Sequence, residues 1–243
     1  MGQDVQRALA LWAPQVLRTA GIVRQLRAEN YPTPAWLAVG VTAQGFPYEI
    51  QEFVPGHPAA SVTATAARRL IDLLEHHTGL DPDPGRCWSA YVTGQLTDGG
   101  LLCRAAHCGP EGRAMAAECE RLLSAHGEVQ LPTGDLVHGD FRPANILFAG
   151  NRVSGVIDIE AVGSGSRVFD YASLLTSDEL TPAARRLVAA AARGVAGPAP
   201  LAHCLAATAL DLTVFVHEHH LGAGIAGLPT LRQRLNELVR EAD

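Results

Sequence analysis

The sequence predicts an α+β protein in which a small lobe, made of one helix and a β-hairpin, precedes a larger and mostly helical lobe. Apolar residues recur at helical spacing through the first 30 residues. Two β-prone runs, residues 36–41 and 48–54, then flank a turn that contains glycine. Beyond Pro55 and Gly56 the helical periodicity returns. We therefore expect a reduced N-terminal lobe over residues 1–55 and a helical lobe over residues 56–243.

Local signals place the helices of this arrangement. Pro14 should break or restart the first helix, and the Pro-rich segment 31–34 should end it. Ser61 is a candidate N-cap for a helix that stops at Gly79, and Thr181 followed by proline opens another. The predicted helices of the large lobe cover residues 61–79, 111–126, 182–193, 201–220 and 231–241. Between the last two, the glycine-rich residues 222–227 are expected to form a loop.

Composition restricts the class of protein. The chain has 47% hydrophobic residues and a formal net charge of −6, which argues against a general nucleic-acid or anionic-membrane surface and would tolerate a cationic ligand. The longest wholly apolar runs are shorter than a bilayer span, and the start of the sequence lacks an apolar signal region. The five cysteines form no C-x-x-C pair, so we expect reduced thiols and a cytoplasmic protein.

Three oxygen-bearing side chains are predicted to converge near a second hairpin. Residues 146–148 and 153–157 are short β-prone runs around a turn at Gly150. The reversal brings Asn145 near Asp158, while Asp140 lies on the loop that leads in. Amide and carboxylate oxygens suit magnesium, which takes its remaining ligands from water and phosphates. Phosphoryl transfer needs such a metal and a group that accepts a hydroxyl proton, and Asp140 suits the second role.

The segment 138–145, with the sequence HGDFRPAN, carries a family resemblance. His138, Asp140 and Asn145 match the spacing of the protein-kinase catalytic loop H-R-D-x-x-x-x-N. HGD in place of HRD resembles the aminoglycoside phosphotransferases and the related choline kinase-like proteins. The run VIDIE resembles the strand that delivers the metal-binding Asp of that family, and the run FDYASLL resembles the helix start that follows.

The resemblance implies a protein-kinase-like fold and a set of roles. It makes Asp140 the catalytic base, assigns Asn145 and Asp158 to Mg²⁺, and places Arg142 where protein kinases carry a phosphate-neutralising Lys. An alternative for Arg142 is a pair with an acidic surface neighbour. The co-substrate would be ATP or GTP, with adenine meeting a hinge over residues 52–57, and the acceptor a small molecule such as an aminoglycoside. The hinge backbone that would meet the base belongs to Glu52, Phe53 and Val54.

Two departures from the family keep a second hypothesis open. The chain contains no Lys, and only helix-like sequence precedes residue 31, which leaves no room for a Gly-rich loop. Thr19 stands near the position where the partner Glu of the Lys is expected. The alternative to an enzyme is therefore a catalytically degenerate kinase-like protein that binds a ligand. A cleft without a roof would expose an apolar face of the small lobe, which is compatible with a homo-oligomer.

The remaining polar clusters have plainer interpretations. The histidines at 217, 219 and 220 should lie at a solvated helix end, because on a helix they point in different directions. Cys103, His107 and Cys108 lack a convincing fourth metal ligand, so we interpret them as structural. Asp211 and Glu218 are consistent with a cationic ligand.

Overall fold

The computed structural model describes residues 3–97 and 100–240 and has the predicted α+β architecture. The helices are α1 (Gln3–Ala28), α2 (Ala64–Glu75), α3 (Trp88–Thr97), α4 (Gly100–Ala106), α5 (Gly109–His126), α6 (Val168–Thr176), α7 (Pro182–Ala196), α8 (Pro198–Glu218) and α9 (Gly222–Arg240). The strands are β1 (Trp36–Val41), β2 (Pro47–Gln51), β3 (His57–Pro58), β4 (Asp135–Val137), β5 (Ile146–Ala149), β6 (Arg152–Val156) and β7 (Gly163–Gly165).

The small lobe consists of α1 and the antiparallel hairpin β1–β2. The prediction that Pro14 interrupts the first helix is wrong, because α1 continues through it. Beyond Pro14 the helix buries Val16, Ala20 and Val23, and this packing outweighs the hydrogen bond that proline cannot donate. The hairpin matches the prediction, although β2 ends three residues earlier than expected.

A short connection leads from this lobe to the β5–β6 hairpin. Residues 52–56 are irregular, and β3 then pairs antiparallel with β5, with His57 opposite Phe148. The resulting sheet has the order β3-β5-β6. Strands β4 and β7 form a separate antiparallel pair; β4 ends directly before segment 138–145, and β7 begins five residues after Asp158. The division at residue 55 stays a prediction.

Helices α2 to α9 supply the core of the large lobe. Thr63, and not the predicted Ser61, caps α2, because the Thr63 hydroxyl accepts a hydrogen bond from the amide of Ala66 at 3.3 Å. The predicted cap at Thr181 is confirmed by its hydroxyl, which accepts from the amide of Ala184. Residues 222–227 are not a loop but the first turns of α9. A Cβ at Gly224 would lie 2.6 Å from Val216, so glycine there allows α9 to approach α8 closely.

Helix α8 is the central helix of the core. It is long and apolar enough to cross a membrane by length and composition, and no other helix of the described residues is. Two thirds of its apolar window, 67%, is buried inside the protein, where it packs against α5 and α6. This burial is the pattern of a core helix in a globular lobe.

Candidate functional site

A buried carboxylate, that of Asp170, holds the backbone of segment 138–145 in place. Asp170, on the first turn of α6, accepts hydrogen bonds from the backbone amides of His138 at 2.8 Å and Gly139 at 3.0 Å. The His138 ring is fully buried, and its Nε2 lies 3.1 Å from the carbonyl oxygen of Ile157. Because Nδ1 accepts from the Asp140 amide, Nε2 must carry the proton of a neutral ring. Burial lowers the pKa of His138, which agrees with that neutral form.

Gly139 has a backbone that a larger residue would strain. Its φ is +88°, and a Cβ would lie 2.4 Å from the Trp88 ring. The Trp88 indole N–H donates to the carbonyl of Ala161 at 3.1 Å, and the ring stacks on Phe169 with centroids 4.6 Å apart. The indole therefore fills the space beside the loop and accounts for HGD where protein kinases have HRD.

Asp140 and Asn145 come together as predicted, and Arg142 lies beside them. The Asn145 side-chain Nδ2 donates to both the carbonyl and the carboxylate of Asp140 at 2.9 Å. Arg142 Nε lies 3.2 Å from the same carboxylate, so the arginine pairs with Asp140 and not with a surface neighbour. The Asp140 side chain remains 39% exposed and can meet a hydroxyl from solvent. Their catalytic and metal roles stay predictions.

Asp158 also lies at this site. The amide of Ile157 donates to the Asn145 carbonyl at 2.9 Å, which brings the ends of the two segments together. Asp158 has left-handed backbone angles, with φ of +62°, and its side chain projects at the start of a 3₁₀ turn. Strained backbone of this kind is common at functional sites.

Glu160 belongs to the same cluster and was missed in the sequence analysis. Burial, together with a hydrogen bond to Asp158 and the charge of Glu49, raises the pKa of Glu160 to about 7. Two carboxyl groups this close disfavour each other's ionisation unless a cation lies between them. The signal for this residue was present in the run VIDIE, where two acids are spaced two residues apart.

The donor set fits a hard divalent cation. Because Asn145 directs its Nδ2 toward Asp140, its Oδ1 points the other way and can serve as a ligand beside Asp158 and Glu160. The described residues contain no group of three or more His, Cys, Asp and Glu side chains arranged to hold a metal. A cation here would take its remaining ligands from water and phosphate, which is the usual coordination of Mg²⁺.

The predicted hinge lies next to this cluster. Phe53 is 87% exposed, and Val54 packs over β6, where a Cβ at Gly155 would lie 2.9 Å from its methyl group. The Glu52 amide donates to the Ala35 carbonyl at 2.8 Å, which ties the connection to the start of β1. The structure thus places the connection over the hairpin that carries Asn145, and its contact with adenine stays a prediction.

Comparison with known proteins agrees with this geometry. A profile of the phosphotransferase enzyme family (APH) matches residues 5–204. The chain belongs to this family. Among curated proteins, none matches the sequence significantly.

Solved structures of phosphotransferases share the fold. A thermostable mutant of aminoglycoside phosphotransferase APH(4)-Ia superposes with a TM-score of 0.67 at 16% identity, covering 93% of this chain and 83% of that one. Type VIII aminoglycoside-3'-phosphotransferase gives 0.58 at 22% identity, covering 84% and 81%. Macrolide 2'-phosphotransferase MphH from Brachybacterium faecium gives 0.61 at 18%, covering 89% and 81%. The kinase-like fold that the HGD motif predicted is therefore confirmed.

In this APH-family chain the Asp170 carboxylate has further buried partners, which could not be predicted from the sequence. His77 Nδ1 lies 3.3 Å from the Asp170 carboxylate, and the Tyr31 hydroxyl lies 3.0 Å from His77 Nε2. Burial and the charge of Asp170 raise the pKa of Tyr31 well above its usual value, so Tyr31 stays a neutral donor. The network connects the end of α1 to the catalytic loop. No sequence motif marked it, because its members are 46 and 93 residues apart from one another along the chain.

The other polar candidates are engaged elsewhere. The Tyr91 hydroxyl lies 2.9 and 2.8 Å from the two oxygens of Asp211, and Glu218 forms a surface ion pair with Arg104. The charge of Glu218 is therefore paired, whereas Asp211 has only a neutral hydroxyl as its partner. His219 and His220 are exposed at the end of α8, in agreement with the plain interpretation.

Proposed function

We propose that this protein transfers the γ-phosphoryl group of a nucleoside triphosphate to a hydroxyl group of a small molecule. The observation that carries the proposal is the Asp140 carboxylate, which is partly exposed and fixed by Asn145 Nδ2 at 2.9 Å and Arg142 Nε at 3.2 Å. A catalytic base must be held in a fixed position and must remain accessible to its substrate. Asp140 meets both conditions. Membership of the APH family supports the same reaction.

The transfer would use these side chains as follows. The acceptor oxygen forms a bond to the γ-phosphorus as the bond to the β-phosphate oxygen breaks, and the nucleoside diphosphate leaves. Asp140 takes the proton of the acceptor hydroxyl. Arg142 lies close enough to Asp140 to contact the transferred group and to neutralise part of its charge. A magnesium ion held by Asn145, Asp158 and Glu160 would screen the charge of the phosphates.

ATP or GTP is the proposed co-substrate. APH(4)-Ia has been solved with ADP and hygromycin B at a TM-score of 0.62 to this chain, with 15% identity and coverage of 90% and 82%. That protein binds its nucleotide within the same fold, and the connection at Glu52–Val54 lies at the edge of the corresponding sheet here. We infer a small-molecule acceptor, because the fold is similar to that of a phosphotransferase solved with hygromycin B and of a macrolide 2'-phosphotransferase. We also propose a cytoplasmic location.

A degenerate binding protein is the second candidate, and one observation favours it. The chain has no Lys, so no Lys–Glu pair within it can position the nucleotide phosphates. The buried Thr19 hydroxyl lies 3.5 Å from the carbonyl of Glu160, where it contributes no charge. Under this hypothesis the site binds nucleotide or another ligand without turnover.

Two substitutions distinguish the hypotheses. Asp158→Asn should abolish the extra thermal stabilisation that Mg²⁺ adds to nucleotide, because ligand binding stabilises the native state by mass action. Asp140→Asn should instead reduce transfer by about 10²- to 10⁴-fold and leave Mg²⁺-dependent binding nearly unchanged. Asp72→Asn, at an exposed position on α2, is the matched control and should alter neither property.

Calorimetry measures nucleotide binding, and acceptor-dependent formation of nucleoside diphosphate measures transfer. Nucleotide binding without any transfer to a panel of hydroxyl compounds would favour the degenerate binder. Full transfer activity in Asp140→Asn would contradict the role of base. The absence of nucleotide binding in the unmodified protein at high Mg²⁺ would refute the phosphotransferase proposal.

A further inference from the structure

Two arginines from different parts of the chain meet beside the segment that follows Asp158. Arg18 projects from α1, and its Nη2 lies 3.2 Å from the Val162 carbonyl. Arg86 lies just before α3, and its Nη1 is 3.2 Å from the Glu160 carbonyl. The Arg86 guanidinium is also 5.7 Å from the centre of the Trp88 ring, the same indole that packs against Gly139.

The positive charge of this pair exceeds the negative charge beside it. Arg18 forms an ion pair with Asp83, whereas Arg86 has no carboxylate within ion-pair distance among the described residues. Both arginines line the same cleft, and burial together with the charge of Arg86 lowers the pKa of Arg18. Two half-buried guanidinium groups thus share one carboxylate, and a further anion would relieve their repulsion.

These side chains border an open cleft of about 400 Å³. Its walls are formed by Gln15, Arg18, Asp83, Gly85 and Arg86. The volume is larger than a single phosphate needs, and guanidinium groups suit bidentate contact with phosphate or carboxylate. Because α1 supplies one wall and residues 83–86 supply the other, an occupant would touch both lobes.

The cleft is separate from the proposed metal site. The Glu160 backbone carbonyl accepts hydrogen bonds from Gln15 Nε2 at 2.9 Å and Arg86 Nη1 at 3.2 Å, whereas its carboxyl group lies beside Asp158. The carboxyl group and the carbonyl of one residue thus meet different sets of partners. The two arginines reach this segment through the backbone carbonyls of Glu160 and Val162.

We propose that this cleft is a second binding site, selective for a phosphate or carboxylate group and distinct from the nucleotide site. Arg86 is its principal ligand-binding residue, Arg18 assists, and Asp83 competes with the ligand for Arg18. The anion is either free phosphate or a charged substituent of a small organic molecule. The proposal stands on these side chains whether or not the chain transfers phosphate.

Calorimetric titration with inorganic phosphate tests the site. The unmodified protein should bind phosphate saturably, and Arg86→Gln should weaken binding about 10- to 100-fold, as expected for the loss of a charge-assisted contact. Asp83→Asn should strengthen binding, because it frees Arg18 for the ligand. Arg24→Gln removes an exposed arginine from the same helix and should bind phosphate like the unmodified protein. Circular dichroism of each variant confirms that it is folded.

Two further titrations define the ligand. Phosphate affinity should be unchanged when ADP and Mg²⁺ are present in excess, since the two sites are distinct. A sugar phosphate that binds at least tenfold more tightly than inorganic phosphate assigns the anion to an organic molecule, and equal affinity assigns it to free phosphate.

Three results would overturn the proposal. They are the absence of saturable phosphate binding by the unmodified protein, unchanged affinity in both Arg86→Gln and Asp83→Asn, and displacement of phosphate by nucleotide. The opposite effects expected for the Arg86 and Asp83 variants separate a binding site from a purely structural contact between α1 and the large lobe. If Arg18 and Arg86 served only as a structural contact between α1 and the large lobe, either substitution would weaken that contact, and neither would strengthen phosphate binding.

Discussion

The catalytic loop depends on single residues whose roles come from their neighbours. Gly139 is required because its φ is +88° and Trp88 occupies the place of a side chain. Asp170 orients the loop through two backbone amides, and His77 and Tyr31 extend this support to the end of α1. Residues that touch no substrate therefore determine where the Asp140 carboxylate lies.

The carboxyl group of Glu160 should make stability depend on pH. Its pKa is raised from 4.5 to about 7 in the folded protein, so between these values the native state holds a proton that the unfolded state has released. This contribution to the free energy of unfolding is fully present below pH 4.5 and is lost as the pH rises toward 7.

Glu160→Gln removes that dependence. The variant should have a higher Tm than the unmodified protein at pH 8 without metal, and the difference should shrink as the pH falls below about 5. Thermal unfolding at several pH values measures it, with Glu111→Gln on α5 as the control. A Tm difference that is constant with pH would show that Glu160 is ionised throughout this range.

At the scale of elements, tertiary packing outweighed several local sequence preferences for helix breaks, caps and loops. Pro14 lies within α1, Thr63 replaces Ser61 as the cap of α2, and the glycine-rich run begins α9. Each wrong prediction followed a sound local preference. In each case the contacts of the element with the rest of the fold outweighed that preference.

Two glycines of α9 test whether residues 222–227 are helical. Gly227→Ala meets no atom within 4 Å, so it should stabilise the protein by about 0.5–1 kcal/mol through helix propensity. Gly224→Ala would place its Cβ 2.6 Å from Val216 and should destabilise it by about 1–3 kcal/mol. Chemical denaturation compares the pair. Equal effects of the two substitutions would indicate a loop instead.

At the scale of the whole molecule, the small lobe presents an apolar surface to solvent. We call the exposed large apolar side chains of β1, β2 and the adjoining residues the exposed hairpin residues. They are Leu37, Val41, Phe46, Tyr48, Ile50 and Phe53. Ile50, within β2, is 53% exposed. By register, Tyr48 and Ile50 share one face of the hairpin with Gly40 and Ala38, whereas Val41 lies on the opposite face. So many exposed large apolar side chains on one small hairpin favour an interaction site.

Self-association through the exposed hairpin residues is therefore expected. Sedimentation velocity should show a concentration-dependent increase in mass, and Ile50→Lys should reduce it by placing a charge in the contact. Phe215→Ser changes an exposed apolar residue on α8 that is 51% accessible, and it should leave association unchanged. A strict monomer at high protein concentration would contradict this expectation.

The sequence by itself determined the fold class and the central constellation of this protein. Asp140, Asn145 and Asp158 could be placed together because they lie within 19 residues, joined by a hairpin whose turn is encoded locally. Helical periodicity likewise revealed most helices. These features follow from short-range preferences that a single stretch of chain expresses.

The tertiary structure alone decided the surroundings of that constellation. Tyr31, His77 and Asp170 meet in the core, and Arg18 meets Arg86, only because distant segments pack together. The raised pKa of Glu160 likewise depends on burial and on Glu49 from β2. Contacts between residues far apart in sequence leave no periodic signal, because each residue type is compatible with many environments until the fold selects one.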